Sequence, residues 1–223
     1  MDLQRTELKF LLTFDEYRKL KTELEMLCSL DPHSDQQEGH YHIQSLYFDD
    51  LYDSKVMEKA DGIELHTKYR IRTYNNGGIR LEYKTKSGNL TAKQQLWLTN
   101  ELVDAILSQN YAVLYHHLDD PLVEQMLIRM KLDHLKPSLY IDYDREAYLY
   151  PAGDTRITFD KNITVSTYGR GEFKRKVLEP GHLILEVKYN AVLPDRIAKV
   201  VFHRNYQVIS YSKYYMGWVL TQI

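Results

Sequence analysis

Cysteine is nearly absent from this sequence: Cys28 is the only one in 223 residues. An internal disulfide and a cysteine-based zinc cluster are both excluded. Proline and glycine are sparse, at 6 and 10. No Pro/Gly-rich linker divides the chain, so we read residues 1–223 as a single domain. No apolar run approaches the ~20 residues of a spanning helix. The start, Met1-Asp2-Leu3-Gln4-Arg5, has no secretory pattern. The expectation is a soluble cytoplasmic protein with no transmembrane segment of its own, reaching a membrane only through a separate partner. An excess of one charge is also missing: 29 Lys+Arg against 31 Asp+Glu leave a net −2 with His neutral. That total offers no bulk attraction to nucleic acid.

What the chain has in quantity is tyrosine, 19 residues of it. Tyrosine suits strands and half-buried positions, where the ring packs and the hydroxyl finds a polar partner. Alternation predicts a first strand at 5–11, and Thr13-Phe14-Asp15-Glu16 reads as a capping box opening a helix. Strands are expected at 41–48, 63–74, 79–86, 92–98, 139–148, 155–159 and 183–189. Turns are expected at Asn75-Asn76-Gly77-Gly78 and Ser87-Gly88-Asn89. Helices are expected at 99–110, from Asp120-Pro121 to about 134, and at 195–204. Residues 31–40 read as a surface loop. Hairpin-linked strands with helices between them make an α+β pattern, a barrel or sandwich with mainly antiparallel pairing.

Side chains two apart on a strand share a face. Lys68, Arg70 and Arg72 therefore share one face, as do Arg80, Glu82, Lys84 and Lys86, and Glu186 and Lys188. With Lys9, Lys93, Arg145 and Arg156 the bias on these faces is cationic, although the whole chain is slightly acidic. Opposed like charges on neighbouring strands destabilise a sheet unless a counter-ion sits between them. Arginine forks suit phosphate oxygens bidentately, and lysines add point charges. A polyanion is the expected occupant. The repeated Glu-x-Lys, at Glu82-x-Lys84 and Glu186-x-Lys188, allows two roles: holding a lysine, or binding the divalent ion that accompanies phosphate. Glu7 is open to the same two roles beside Lys9. His40-x-His42 and His116-His117 read as structural, Cys28 as a small buried hydrophobe, and the basic run 169–176 as a solvated loop.

Arg5-Thr6-Glu7-Leu8-Lys9-Phe10, Ser45-Leu46-Tyr47-Phe48-Asp49, Lys68-Tyr69-Arg70-Ile71-Arg72, Leu81-Glu82-Tyr83-Lys84, Tyr143-Asp144-Arg145-Glu146-Ala147, Leu185-Glu186-Val187-Lys188 and Tyr211-Ser212-Lys213-Tyr214 together resemble the polyphosphate polymerase domain of the vacuolar transporter chaperone (VTC) family. That family belongs to the triphosphate tunnel metalloenzymes. The resemblance implies an antiparallel β-barrel tunnel of about eight strands with flanking helices. It implies transfer of the γ-phosphate of ATP to a polyphosphate chain, with Mn²⁺ or Mg²⁺. Lys9, Arg70, Arg72, Lys84 and Lys93 then fall at catalytic positions. Arg145, Arg156, Ser212 and Lys213 fall at substrate-binding ones, and Glu186 at the metal; Lys68, Lys86 and Lys188, on the same charged faces, are read as substrate-binding beside them. Triphosphatase relatives open with Glu-x-Glu-x-Lys, where this chain has Arg5-x-Glu7-x-Lys9, which favours the polymerase branch. A triphosphatase with the same tunnel, and a non-catalytic module for polyphosphate or inositol phosphates, are the alternatives. The partners implied are ATP and polyphosphate, not nucleic acid.

Overall fold

The structure, a computed structural model, describes residues 5–34, 39–75, 77–87, 90–171, 173–202 and 206–222. In chain order the elements are β1 (Arg5–Thr13), α1 (Phe14–Glu25), β2 (Ser29–Leu30), β3 (Tyr41–Asp49), α2 (Ser54–Ala60), β4 (Leu65–Tyr74), β5 (Ile79–Ser87) and β6 (Leu90–Trp97). Then come α3 (Asn100–Leu107), α4 (Tyr111–Tyr115), α5 (Pro121–Leu132), β7 (Lys136–Tyr150), β8 (Thr155–Thr167), β9 (Arg175–Lys176), β10 (His182–Asn190), α6 (Asp195–Phe202) and α7 (Lys213–Thr221). Eight strands hydrogen-bond in the order β1-β10-β8-β7-β3-β4-β5-β6, with β2 added to β7 and β9 to β8. The α+β class and the eight-stranded antiparallel sheet are as expected.

Local chemistry accounts for the element boundaries. Thr13 Oγ1 accepts from the Glu16 amide at 3.3 Å, while Glu16 Oε2 accepts from the Thr13 amide at 2.7 Å. This reciprocal box converts β1 into α1 within one residue. Asp120 accepts from the Leu122 amide and Pro121 takes the first helical position of α5. The β4–β5 hairpin turns through Gly77, whose φ of 83° suits glycine. Asn76, Gly88 and Asn89, parts of the two expected turns, lie outside the described residues, as do residues 203–205 at the expected end of α6.

Two compact units divide the chain. Unit 1 takes Met1–Ile43, Asp142–Thr164 and Lys176–Lys213; unit 2 takes Gln44–Ile141, Val165–Arg175 and Tyr214–Ile223. In unit 1, Phe10, Leu12, Phe159 and Leu185 pack against Leu20 and Leu24 of α1 and Ile197 and Val201 of α6. In unit 2, Phe48, Tyr69, Ile71 and Leu81 pack against α3 to α5 through Ile106, Leu114 and Met126. Helices thus cover one face of the strands, and the alternate side chains of those strands form the opposite, charged face.

Three features depart from the sequence reading. α2 was not anticipated, since its seven residues carry little periodicity. Residues 31–40 are more than a surface loop: Asp31 and Ser34 are buried, and the Asp31 amide donates to Ala147 O. The aromatic stretch at the C-terminus, for which the sequence reading gave no element, forms the helix α7. Among the described residues, no helix is long and apolar enough to cross a membrane.

Within unit 2, α7 lies so near β7 and β8 that a Cβ on Gly217 would stand 2.5 Å from Ile141 Cδ1 and 3.1 Å from Val165 Cγ2. Gly217→Val overpacks this contact and should cost about 1–3 kcal/mol of stability, read as a lower urea midpoint with unchanged slope.

Candidate functional site

In unit 2 the register of β4, β5 and β6 stacks the charges in rows. Lys68, Lys84 and Lys93 form one row, and Arg70, Glu82 and Gln95 the next. Arg72 stands opposite Arg80, whose guanidinium lies over the Trp97 ring at 3.7 Å. Lys86 occupies the exposed end of the same face of β5, opposite His66 and Thr91.

Glu82, only 1% exposed, is the hub of this face. Its Oε2 accepts from Arg70 Nε at 2.6 Å, and its Oε1 from Lys93 Nζ at 2.7 Å. Arg72 Nη1 stands 3.8 Å from Oε1, and Arg72 Nε donates to Ser45 Oγ at 3.4 Å. Burial alone would raise the carboxyl; Arg70, Arg72 and Lys93 outweigh it and hold Glu82 well below the usual carboxylate range. Arg70 Nη1 also donates to Tyr47 Oη at 2.9 Å. Burial opposes ionisation of Tyr47, yet the charges of Arg70, Lys68 and Arg72 pull the phenol down to about 8. Burial likewise lowers Lys93 to about 8, against the charge of Glu82.

In unit 1, β1, β10 and β8 form the rows Lys9–Glu186–Thr158 and Glu7–Lys188–Arg156. Glu186 Oε1 lies 2.5 Å from Lys188 Nζ. Burial works against its charge, but Lys188, Lys9, Lys213 and Arg145 keep it ionised well below the ordinary range. Lys9 Nζ is held by Glu7 Oε1 at 2.7 Å and by the Tyr211 carbonyl at 3.0 Å. Asp160, fully buried, binds Arg145 bidentately at 2.6 and 2.7 Å and takes Lys213 Nζ at 2.5 Å. Burial would raise Asp160 too, and Arg145 and Lys213 bring it down instead. Arg156 pairs with Asp31 at 2.7 Å and with Tyr41 Oη at 2.7 Å.

The strand residues read from the sequence as site residues group on two charged faces. Unit 1 brings together Lys9, Arg145, Arg156, Glu186, Lys188 and Lys213, with half-buried Ser212 preceding α7. Unit 2 brings together Lys68, Arg70, Arg72, Lys84 and Lys93, with Lys86 at the rim. Lys213 is buried beside Asp160 and is no surface charge, with its side chain 10% exposed. Of the two roles open to Glu7, the geometry shows lysine-holding. His42 is flanked by Asp144 at 3.0 Å and Asp142 at 3.4 Å, so both ring nitrogens face carboxylates. Cys28 is half-buried, and burial pushes its thiol up to about 11.

Sequence reasoning missed Tyr47, Asp160 and Asp31, and took Glu82 only as a neighbour of Lys84. The Glu-x-Lys motif did flag Glu82. Its true partners, Arg70 and Lys93, lie on adjacent strands and follow from register alone. Asp160 had no motif to mark it.

Removing the Glu82 charge leaves the guanidinium groups of half-buried Arg70 and buried Arg72 without their carboxylate, and the more exposed Lys93 ammonium with them. Glu82→Ala should lose about 3–5 kcal/mol in urea unfolding at pH 7, and added sulfate should recover part of that loss. The folded pKa of Glu82 is depressed, so its contribution is full above the usual carboxylate range and fades as pH falls through the folded value. Anion binding in unit 2 has the opposite dependence. As pH passes 8, Lys93 loses a positive charge and Tyr47 gains a negative one. Sulfate, which does not titrate here, should raise the melting temperature more at pH 7 than at pH 9. Affinity should fall by up to about tenfold per pH unit for each group, and Tyr47→Phe with Lys93→Arg should flatten the profile.

The VTC domain model matches residues 4–221 of the chain. Comparison with curated protein sequences returns no match. Among solved structures, the PH1819 protein from Pyrococcus horikoshii OT3 is similar at 15% identity, covering 98% of this chain and 99% of that one, with a TM-score of 0.52. A proposed adenylate cyclase from Bacillus halodurans is similar at 11% identity, covering 94% and 96%, with a TM-score of 0.54. HpAC1 from Hippeastrum, a proposed adenylyl cyclase with a dominant triphosphatase activity, is similar at 11% identity, covering 96% and 94%, with a TM-score of 0.56. At these identities the likeness is one of fold. With a family model spanning nearly all of its length, and with that fold, the chain belongs to the VTC domain family.

Proposed function

We propose that this protein is an ATP-dependent polyphosphate polymerase, which passes the γ-phosphate of ATP to the end of a polyphosphate chain. The observation that carries the reading is the charge surplus in unit 2. There Lys68, Arg70, Arg72, Lys84 and Lys93 share a face with a single carboxylate, Glu82. A surplus of about four positive charges matches the charge of a triphosphate, and the two arginine forks suit its oxygens. ATP and polyphosphate are the partners this face would select.

Phosphoryl transfer needs positioning and charge neutralisation more than it needs a protein nucleophile. In this mechanism Arg70, Arg72 and Lys84 hold the triphosphate, with Lys68 and Lys86 extending the cationic track. On the unit 2 face Lys93, with Glu82 beside it, and on the unit 1 face Lys9, held by Glu7, each steady a phosphate group. Arg145 lends its charge while its fork stays engaged by Asp160, and Lys213 sits against the same carboxylate. Arg156, Lys188 and Ser212 line the unit 1 face. The terminal phosphate of the polymer attacks in line, and the fixed cations take up charge as it shifts to the leaving oxygen.

Unit 1 differs in balance. Five cations, Lys9, Arg145, Arg156, Lys188 and Lys213, meet four carboxylates, Glu7, Glu186, Asp160 and Asp31. Among the described residues, no three metal-ligating side chains form a group. One buried carboxylate, Glu186, fits an ion such as Mg²⁺ or Mn²⁺, which takes one or two carboxylates and completes its shell with phosphate and water. Bound there, the ion would offset the charge of the phosphate.

A triphosphatase is the second reading, supported by the fold likeness to HpAC1 and its dominant triphosphatase activity; water then replaces the polymer as acceptor. Incubation of the purified protein with ATP and Mn²⁺, followed by gel analysis, separates the outcomes. A long polymer supports the polymerase, phosphate alone the triphosphatase, and no turnover a binding module. Arg72→Ala should fold and lose about 10²-fold in turnover; wild-type rates in that variant would remove Arg72 from the site.

A further inference from the structure

Thr158 has a place in unit 1 that none of the readings above uses. Its neighbours Ile157 and Phe159 are buried in the apolar core, so the Thr158 side chain points the other way, onto the charged face. There it is the third member of a row with Glu186 and Lys9: Lys9 pairs with Glu186, and Glu186 with Thr158. Arg156 and Asp160 flank it on its own strand. Thr158 is 3% exposed, and its Oγ1 has no hydrogen-bond partner among the described residues.

A buried hydroxyl without a partner costs about 1–3 kcal/mol, and such atoms are rare in folded proteins. A hydroxyl in this state among fixed charges fits a group that is bound only in the working complex. A second donor shares the cluster. Tyr211 is 8% exposed, and its phenol oxygen also lacks a hydrogen-bond partner among the described residues. Burial, and then the charge of Asp160, raise its pKa, so it keeps its proton for donation.

We infer that Thr158 is a phosphate-binding residue of unit 1, its hydroxyl donating to a phosphoryl oxygen held by Lys9 and Lys188 beside Glu186. The ligand class is an inorganic or nucleoside polyphosphate. The ammonium groups supply charge, and the hydroxyl supplies a directed donor that fixes the orientation of one oxygen. No proton is transferred; the hydrogen bond forms on binding and breaks on release. This inference rests on the phosphate-chain reading given above.

Two conservative substitutions separate binding from structure. Thr158→Val keeps the shape and removes the hydroxyl; Thr158→Ser keeps the hydroxyl. Binding of inorganic tripolyphosphate would be measured by calorimetry, with the melting temperature of the free protein recorded for each variant. We expect Thr158→Val to weaken tripolyphosphate binding about five- to tenfold, with a melting temperature equal to or above that of the wild type. Thr158→Ser should stay within about twofold of wild-type affinity. Unchanged affinity in Thr158→Val, beside a wild type that binds, overturns this inference and leaves the phosphate-chain reading standing. A lower melting temperature in Thr158→Val also overturns it, by showing that the hydroxyl has a partner in the free protein. A wild type that does not bind tripolyphosphate removes the phosphate-chain reading, and this inference with it.

Discussion

Like-charge crowding on a β-sheet is the constraint on which the rest of this structure depends. Neighbouring strands bring facing side chains to about 5 Å, and here Lys68 faces Lys84, which in turn faces Lys93. Such a face folds without its ligand only if buried carboxylates lie within reach of the cations. Glu82, Glu186 and Asp160 do this, each at most 5% exposed and each in direct contact with at least one cation. The position of each carboxylate is a matter of register. A slip of one residue in β5 would send Glu82 to the apolar side and leave Arg70 and Lys93 without it.

The two faces resolve this constraint differently. In unit 2 the strands β4, β5 and β6 carry a single carboxylate, Glu82, which contacts three of their cations, so positive charge predominates on these strands. In unit 1 the carboxylates nearly equal the cations, and Arg145 is engaged at both ends of its fork by Asp160. A balanced face has weaker attraction for a bare polyanion. It also holds a carboxylate, Glu186, whose pKa the surrounding Lys188, Lys9, Lys213 and Arg145 hold well below the ordinary range against its burial. The surplus suits charge capture, and the balance suits placing one phosphate group against specific donors.

Much of this was legible in the sequence, because alternation along a strand is a local property. Ile71 and Leu81 against Arg70, Arg72 and Glu82 could be assigned to opposite faces from spacing alone, and the Thr13 capping box named its own helix. Cross-strand partners are a different matter. Glu82 lies two residues from Lys84, yet it binds Lys93 and Arg70 from strands on either side. Asp31 lay in a segment whose composition said loop, and its value is a single long-range pairing with Arg156. Lys213 was placed at the site through resemblance, and the structure supplies the reason as its ion pair with Asp160. Neither α2 nor the helical state of α7 had a periodic signal strong enough to read.

The C-terminal aromatic stretch shows how packing reaches the charged face of unit 2. Asp49 is 1% exposed and receives the amides of Asp50, Lys55 and Val56 at 2.8–3.0 Å, together with the Tyr214 hydroxyl at 2.5 Å. Burial raises its pKa to about 6 against those hydrogen bonds, so it remains ionised at neutral pH. The helix α2 needs this carboxylate, since its own N-cap, Asp53, makes no side-chain cap and sits at a φ of 55°. With its hydroxyl fixed by Asp49, the Tyr214 ring stacks on Tyr47 at 4.6 Å and 9°. Tyr47 in turn accepts from one edge of Arg70, while Glu82 accepts from the other. A guanidinium held at two edges loses little freedom when phosphate arrives, so more of the interaction energy remains for binding. The same tyrosine, polarised by the cations around it, is the group through which pH reaches Arg70. The packed helix α7 thereby fixes the ring of the tyrosine that accepts from Arg70.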